Sequence, residues 1–332
     1  MSFKRLDPED ISISAESVVT PLWSTNNKQL TTFYTSSQQV AATGDYFYRI
    51  FDTSNTNTQT AQLGITYGDR QGSGSDAYNA NVPGKTPSST IYGQYRNLVF
   101  GDEDTNFTFQ AQTSDYVYVI SMDRARYKEK LLPGSFNLTL QGPTNKVLKL
   151  TDNSATLNTI SYVDSGRVYD IISGSDGTPV VNTTGLNTLK GSYGKYLPDV
   201  GIIILNGVAL DSSVDGIDLA TGRANNDNLN ITKFYNAIAL GAAFDSQAEE
   251  TVSSNYIFVR VRNGEFNYST NPSNITGSGE LRHDIMINTP QAYLTTVGLY
   301  NDNNDLLAVA KLSKPLLKDF TKEALVRIKL DY

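Results

Sequence analysis

The chain is predicted to be mainly β, built of antiparallel, sandwich-like sheets with long loops and minor helix. Three observations lead there. Short segments of alternating apolar and polar residues recur from end to end. Turn residues separate them at short intervals. The 20 Tyr and 13 Phe among 332 residues suit pleated, half-buried surfaces. Hydrophobic residues make up 39% and charged residues 18%, too little charge for a self-repelling disordered chain.

The elements follow in order. "DISISAESVV" sets Ile11 and Ile13 against Ser12 and Ser14. "DYFYRIFDT" carries aromatics on both faces, as a strand covered on two sides does, and "AQLGITYGD" alternates Ala61, Leu63, Ile65 and Tyr67. The polar "SNTNTQT" between these two suits a hairpin loop. "GSFNLTLQG", "KVLKLTD" and "GRVYDIISG" read as further short strands, and "GIIILNG" as a fully buried one. In "NYIFVRVRNGEF", Ile257, Val259 and Val261 oppose Phe258, Arg260 and Arg262. One helix is predicted near 231–240, from Phe234, Ile238 and Leu240 with Gly241 as its stop. Two helical turns are expected in "RARYKEKLLPG", ended by Pro133 and Gly134. The stretch 67–89 carries Gly68, Gly72, Gly74, Gly84, Pro83 and Pro87, and reads as a long interaction loop. A hairpin is predicted over 293–312, with its loop at 301–305 and a break at Pro315. The end, 325–332, alternates Val326, Ile328, Leu330 and Tyr332 against Arg327, Lys329 and Asp331, the pattern of a strand with one buried face. Two regions are expected, 1–130 and 131–332.

Composition bounds the chemistry. Without Cys there is neither a disulfide nor a thiolate metal site. "MSFKRLDPED" lacks a signal core, and no run of about 18 apolar residues occurs, so no membrane insertion is expected. A net charge of −7 opposes broad nucleic-acid binding.

Individual motifs are weak. "GSGSD" at 72–76 lacks the Gly-Lys-Ser/Thr ending of a phosphate loop and reads as a surface loop. Asp211, Ser213, Asp215 and Gly216 follow the start of a calcium loop, but Gly222 stands where its closing Glu belongs. "NDNND" at 301–305 is a turn before it is a metal site. His283 is the sole histidine, and no nucleophile elbow accompanies it. Asp102 and Glu103 supply a carboxylate pair of the kind glycoside hydrolysis uses, in a polar loop where such pairs are ordinarily solvated. No catalytic residue, metal ligand or cofactor is therefore expected. Basic segments remain as candidate interfaces: Arg124, Arg126 and Lys128 in the first, Lys314, Lys318 and Lys322 in the second. The bland alternative is a solvated face, which for the first segment would be a helix face with local Lys–Glu pairing.

Several stretches carry a resemblance: "YGDRQGSGS", "IYGQYRNLVFGDE", "RARYKEKLLPGSFNLTL", "GRVYDIISGS", "EFNYSTNPS" and "VGLYNDNNDLLAVAKLSKPLLKDFTKEALVRIKLDY". Together they span nearly the whole chain. They resemble a family of virion structural proteins of large contractile-tailed bacteriophages, especially those of marine cyanobacteria. The closing hairpin is also similar to segments of tail and baseplate-attachment proteins. The resemblance implies a non-enzymatic virion component that is made in the host cytoplasm and present in multiple copies among other virion structural proteins. It points to the tail, foremost the baseplate. A neck, collar or head-associated protein, a host glycan- or receptor-binding module and a polysaccharide-cleaving tail enzyme remain as alternatives.

Overall fold

The computed structural model describes residues 4–37, 46–74, 81, 86–110, 112–179, 192–219, 229–269 and 271–331. They fall into two compact units, one of Val18–Glu250 and one of Met1–Ser17 with Thr251–Tyr332.

In chain order the elements are β1 (Ile11–Pro21), β2 (Gln29–Leu30), β3 (Tyr34–Ser37), β4 (Phe47–Phe51), β5 (Ala61–Asp69), α1 (Pro87–Phe100), β6 (Phe107–Phe109), β7 (Gln112–Ser114) and β8 (Tyr116–Met122). Then come β9 (Lys130–Leu131), β10 (Asn137–Gln141), β11 (Val147–Asp152), β12 (Ser161–Val163), β13 (Gly166–Ser175), β14 (Thr178–Pro179), β15 (Gly194–Leu197) and β16 (Ile202–Asn206). The chain continues through α2 (Gly207–Asp211), α3 (Asn230–Gly241), β17 (Ala243–Asp245) and β18 (Gln247–Val261). It ends with α4 (Ile285–Asn288), β19 (Gln291–Tyr300), β20 (Leu306–Asp319) and β21 (Ala324–Asp331). The protein is thus β-rich and antiparallel with minor helix, as the alternation predicts.

The larger unit is organised by one sheet, whose hydrogen-bonded path runs β2-β17-β10-β11-β13-β15-β16-β8-β5-β4-β3. β8 pairs with both β5 and β16, and it is the central strand whose two faces explain the layering. Its Tyr118, Ile120 and Met122 enter one apolar cluster, and Val117 and Val119 enter another. A strand covered on both faces needs a near-continuous apolar sequence, which is what "YVYVISM" and "IIILN" supply. α3 covers the first face, with Phe234 stacked on Tyr118 at 4.5 Å between ring centroids. α1 covers the second: a Cβ at Gly68 would lie 2.9 Å from the backbone nitrogen of Tyr92, so only glycine lets the helix approach β5 this closely.

A boundary at 130 is not where the contacts divide the chain. The pairing of β8 with β16, in which Ile120 faces Ile203, joins strands from either side of that point into one sheet. The expected turns of helix after Arg124 are also absent. A single 3-10 turn, Arg124–Arg126, gives way to extended chain and then to β9, which pairs with Ala248 and Glu249. Tertiary pairing of that short edge overrides a weak local helix signal. The stretch 67–89 is not one loop: β5 runs to Asp69 and α1 begins at Pro87, while 75–80 and 82–85 lie outside the described residues.

In the smaller unit, β21 pairs with β18 from Ser254↔Asp331 to Val261↔Ala324. Ile257, Val326 and Ile328 form its buried cluster, against which Leu6, Val297, Leu299, Ala310 and Leu312 pack. The terminal strand is therefore integral, with the predicted register; Tyr332 lies outside the described residues. β19 and β20 form the predicted hairpin, yet β20 does not end at Pro315. The ladder steps from Thr296↔Lys311 to Leu294↔Leu316, so Pro315 sits in a bulge where its missing N–H is not needed.

Candidate interaction surfaces

The first basic segment lies on the larger unit. Asp123 caps the 3-10 turn by accepting from the Ala125 N–H, and the backbone then extends through Tyr127. The Arg124 guanidinium lies 4.5 Å over the Tyr127 ring and donates to the Tyr127 and Lys128 carbonyls, at 2.9 and 2.5 Å. It staples its own turn. Lys128 meets Glu250 at 2.7 Å with its side chain 82% exposed, a pair whose contribution solvent screening holds near 0–1 kcal/mol, roughly. Arg126 is half-buried, and its Nε is buried without a partner among the described residues. With Thr20, Ala125, Tyr127, Ala248 and Glu249 it lines a shallow depression of about 230 Å³. Of the three residues, Arg126 alone keeps buried donor capacity unspent.

The second segment divides differently. Lys314 is exposed. Lys322 stands 3.6 Å from Asp319, one turn away. Lys318 is no surface charge at all: it is fully buried, and its ammonium donates to the Asn263 carbonyl (2.9 Å), Asn267 Oδ1 (2.6 Å) and the Asp319 carbonyl (2.9 Å). Three neutral acceptors match its three protons. Alternation along a strand does not reveal this, because the bulge before Leu316 changes which side chains face inward.

The other motifs resolve into local structure. Asp102 accepts from the Thr105 hydroxyl and from the Thr105 and Asp104 backbone N–H groups; those bonds hold its carboxyl below the ordinary range, as a turn cap rather than an acid facing a sugar. Asp211 accepts from the Tyr116 hydroxyl at 2.7 Å, and the Ser213 carbonyl accepts from Lys146. Gly222 lies outside the described residues, which contain no cluster of acidic or His side chains able to hold a metal. Gly72 and Ser73 lie between the strand β5 and the helix α1. Their carbonyls accept from Thr86 and Ser88 at the start of α1, so carbonyl oxygens rather than N–H donors face the helix there. His283 is exposed.

What sequence reading did not single out is the outer surface of the β19–β20 hairpin. Val297, Leu299, Ala310 and Leu312 turn inward, while Leu307 and Val309 are 68% and 59% exposed. Tyr293, Tyr300 and Leu306 are also exposed on the same hairpin. The signal was present: apolar residues occupy both parities of 306–312, which a strand with one wet face does not require. No helix among the described residues is long and apolar enough to cross a membrane. Comparisons with protein-family models, curated proteins and solved structures return no match.

Proposed function

We propose that the chain is a non-enzymatic structural component of a contractile phage tail, foremost a baseplate protein that assembles with other virion proteins. The observation that carries the assembly half is the apolar surface of the smaller unit. Ile285, Ile287, Tyr293, Leu307, Val309 and Phe320 each stand more than half exposed. Scattered exposed apolar residues are ordinary, but several on one hairpin and its neighbours are the usual mark of a protein–protein contact. The resemblance of the sequence to virion structural proteins supports the phage tail as the place.

The test is peptide mass spectrometry of purified particles, repeated on tails separated from heads. The proposal expects the chain in particles and enriched in the tail fraction. Enrichment with heads selects the neck, collar or head-associated alternative. Absence from particles removes the structural role. Binding of the isolated protein to host envelope glycans selects the binding module, and new reducing ends released from them select the enzyme.

A further inference from the structure

Lys318 is fully buried, yet no carboxylate pairs with it among the described residues. The acid next to it, Asp319, spends its side chain on Thr321 and Lys322. A charge taken out of water without a counter-charge is costly, and neutral hydrogen bonds offset only part of that cost. The neighbouring chemistry offers a way to remove the charge. Lys318 Nζ lies 2.6 Å from Asn267 Oδ1, which is bonded to a carboxamide carbon, and Asn267 is itself only 3% exposed. The Asn263 carbonyl accepts from Lys318 Nζ at 2.9 Å and from Asn267 Nδ2 at 2.6 Å. One backbone oxygen thus holds both nitrogens and fixes the amide with its oxygen toward the lysine. Phe266, just before Asn267, has a φ of 53°, a left-handed conformation that is costly for an aromatic residue and is held here by the surrounding loop.

We propose that Lys318 and Asn267 join through an isopeptide bond once the smaller unit has folded. Lys318 Nζ sheds a proton and attacks Asn267 Cγ, forming the Nζ–Cγ bond. The Cγ–Nδ2 bond then breaks, and its electron pair stays on Nδ2. Two of the three lysine protons end on that nitrogen, which departs as ammonium. One alkylammonium and one carboxamide become one secondary amide and one ammonium ion, so atoms and charge balance without a co-reactant. The exchange replaces a buried charge by a neutral amide and releases the charge to water. Burial holds the reacting groups together and keeps water from competing for the carbonyl. The hydrogen-bonded arrangement is the precursor of the bond. The linked residues are 51 apart, so the bond closes a covalent loop that contains α4, β19 and β20 as far as Lys318. The hairpin then cannot be pulled from the loop that follows β18 without breaking a covalent bond. This staple goes beyond the proposed structural role and does not depend on where the chain assembles.

The test is mass spectrometry of the purified full-length protein, intact and after tryptic digestion in denaturant, beside Lys318→Arg and Asn267→Ala. The wild type is expected to be lighter than its sequence by one ammonia, and both variants to have the full mass. The wild-type digest is expected to hold a branched peptide in which 263–282 is joined to 312–322, uncut after Lys318. Recovery of 312–318 and 263–282 mainly as separate linear peptides would overturn the bond, and this reading needs only the wild type, whether or not the variants fold. Loss of ammonia that persists in Lys318→Arg would place the reaction elsewhere, as in a succinimide at Asn263-Gly264, and would overturn it equally.

Discussion

Lys318 carries its charge into the interior of the smaller unit and finds only neutral oxygens there. Its carbonyl partners come from the loop after β18 and from the end of β20, so one ammonium ties two elements together. Lys318→Met removes the donors and leaves three acceptors unmet, of which Asn267 Oδ1 is buried. Denaturant unfolding of the full chain is expected to lose about 2–4 kcal/mol from the transition of this unit. A loss under about half a kcal/mol would mean that water replaces the ammonium without cost. In the larger unit the comparable device is Arg167 with Asp199. Two parallel contacts, at 2.6 and 3.2 Å, and a third from the Arg167 backbone N–H hold the pair at the start of β13. Burial raises the Asp199 pKa, but the hydrogen bonds and charge of Arg167 outweigh that and hold it below the ordinary value. A lowered folded pKa gives stability that is present above the unfolded carboxylate value, near ~3.9, and lost as pH falls through the folded one. Asp199→Asn is therefore expected to cost about 1–2 kcal/mol at neutral pH. The gap to wild type should close in acid, below about pH 4. A gap that widens in acid would contradict the assigned direction.

At the scale of elements, β21 bears most on whether the chain's end is structural. It pairs along its whole length with β18 and sinks Ala324, Val326 and Ile328. Deleting 326–332 exposes that edge and removes two of the three buried side chains of the cluster. Loss of several kcal/mol is expected, roughly the scale of a whole domain's stability, so the truncated chain should fail to accumulate in soluble form. A soluble product with an unchanged cooperative melt would refute the integral strand. This element was legible because apolar and polar residues alternate from Val326 to the end, and β5 was legible for the same reason; β10, β11 and β13 were legible as short runs bounded by turn residues, and β4 and β16 from apolar residues on both faces. α3 was read from Phe234 and Ile238, which are buried, although Leu240 of the same pattern is 57% exposed. α1 was missed. Its Thr86-Pro87 start and its Tyr92, Tyr95, Val99 spacing signalled a helix, but the glycines before it and Gly93 within it spoke for loop. Of the basic residues, sequence gave charge without placement. Whether Lys314 and Lys318 face solvent or interior depends on the bulge at Pro315 and on a loop of residues 263–267, neither of which charge pattern encodes.

For the whole molecule, fold class followed from composition and period, while the division into units did not. The larger unit draws its sheet from across the expected boundary, and the smaller joins residues from both ends of the chain. Non-local pairing of this kind leaves no local mark. The functional claim belongs at this scale, since a structural role is a statement about neighbours. The measurement that tests it most directly is a reconstruction of the intact phage particle by electron cryomicroscopy, at a resolution that traces chains. The account predicts this chain in the tail, at the baseplate, with Leu307 and Val309 covered by another protein surface. Density for the chain elsewhere in the particle, or a tail in which both side chains still face solvent, would contradict it.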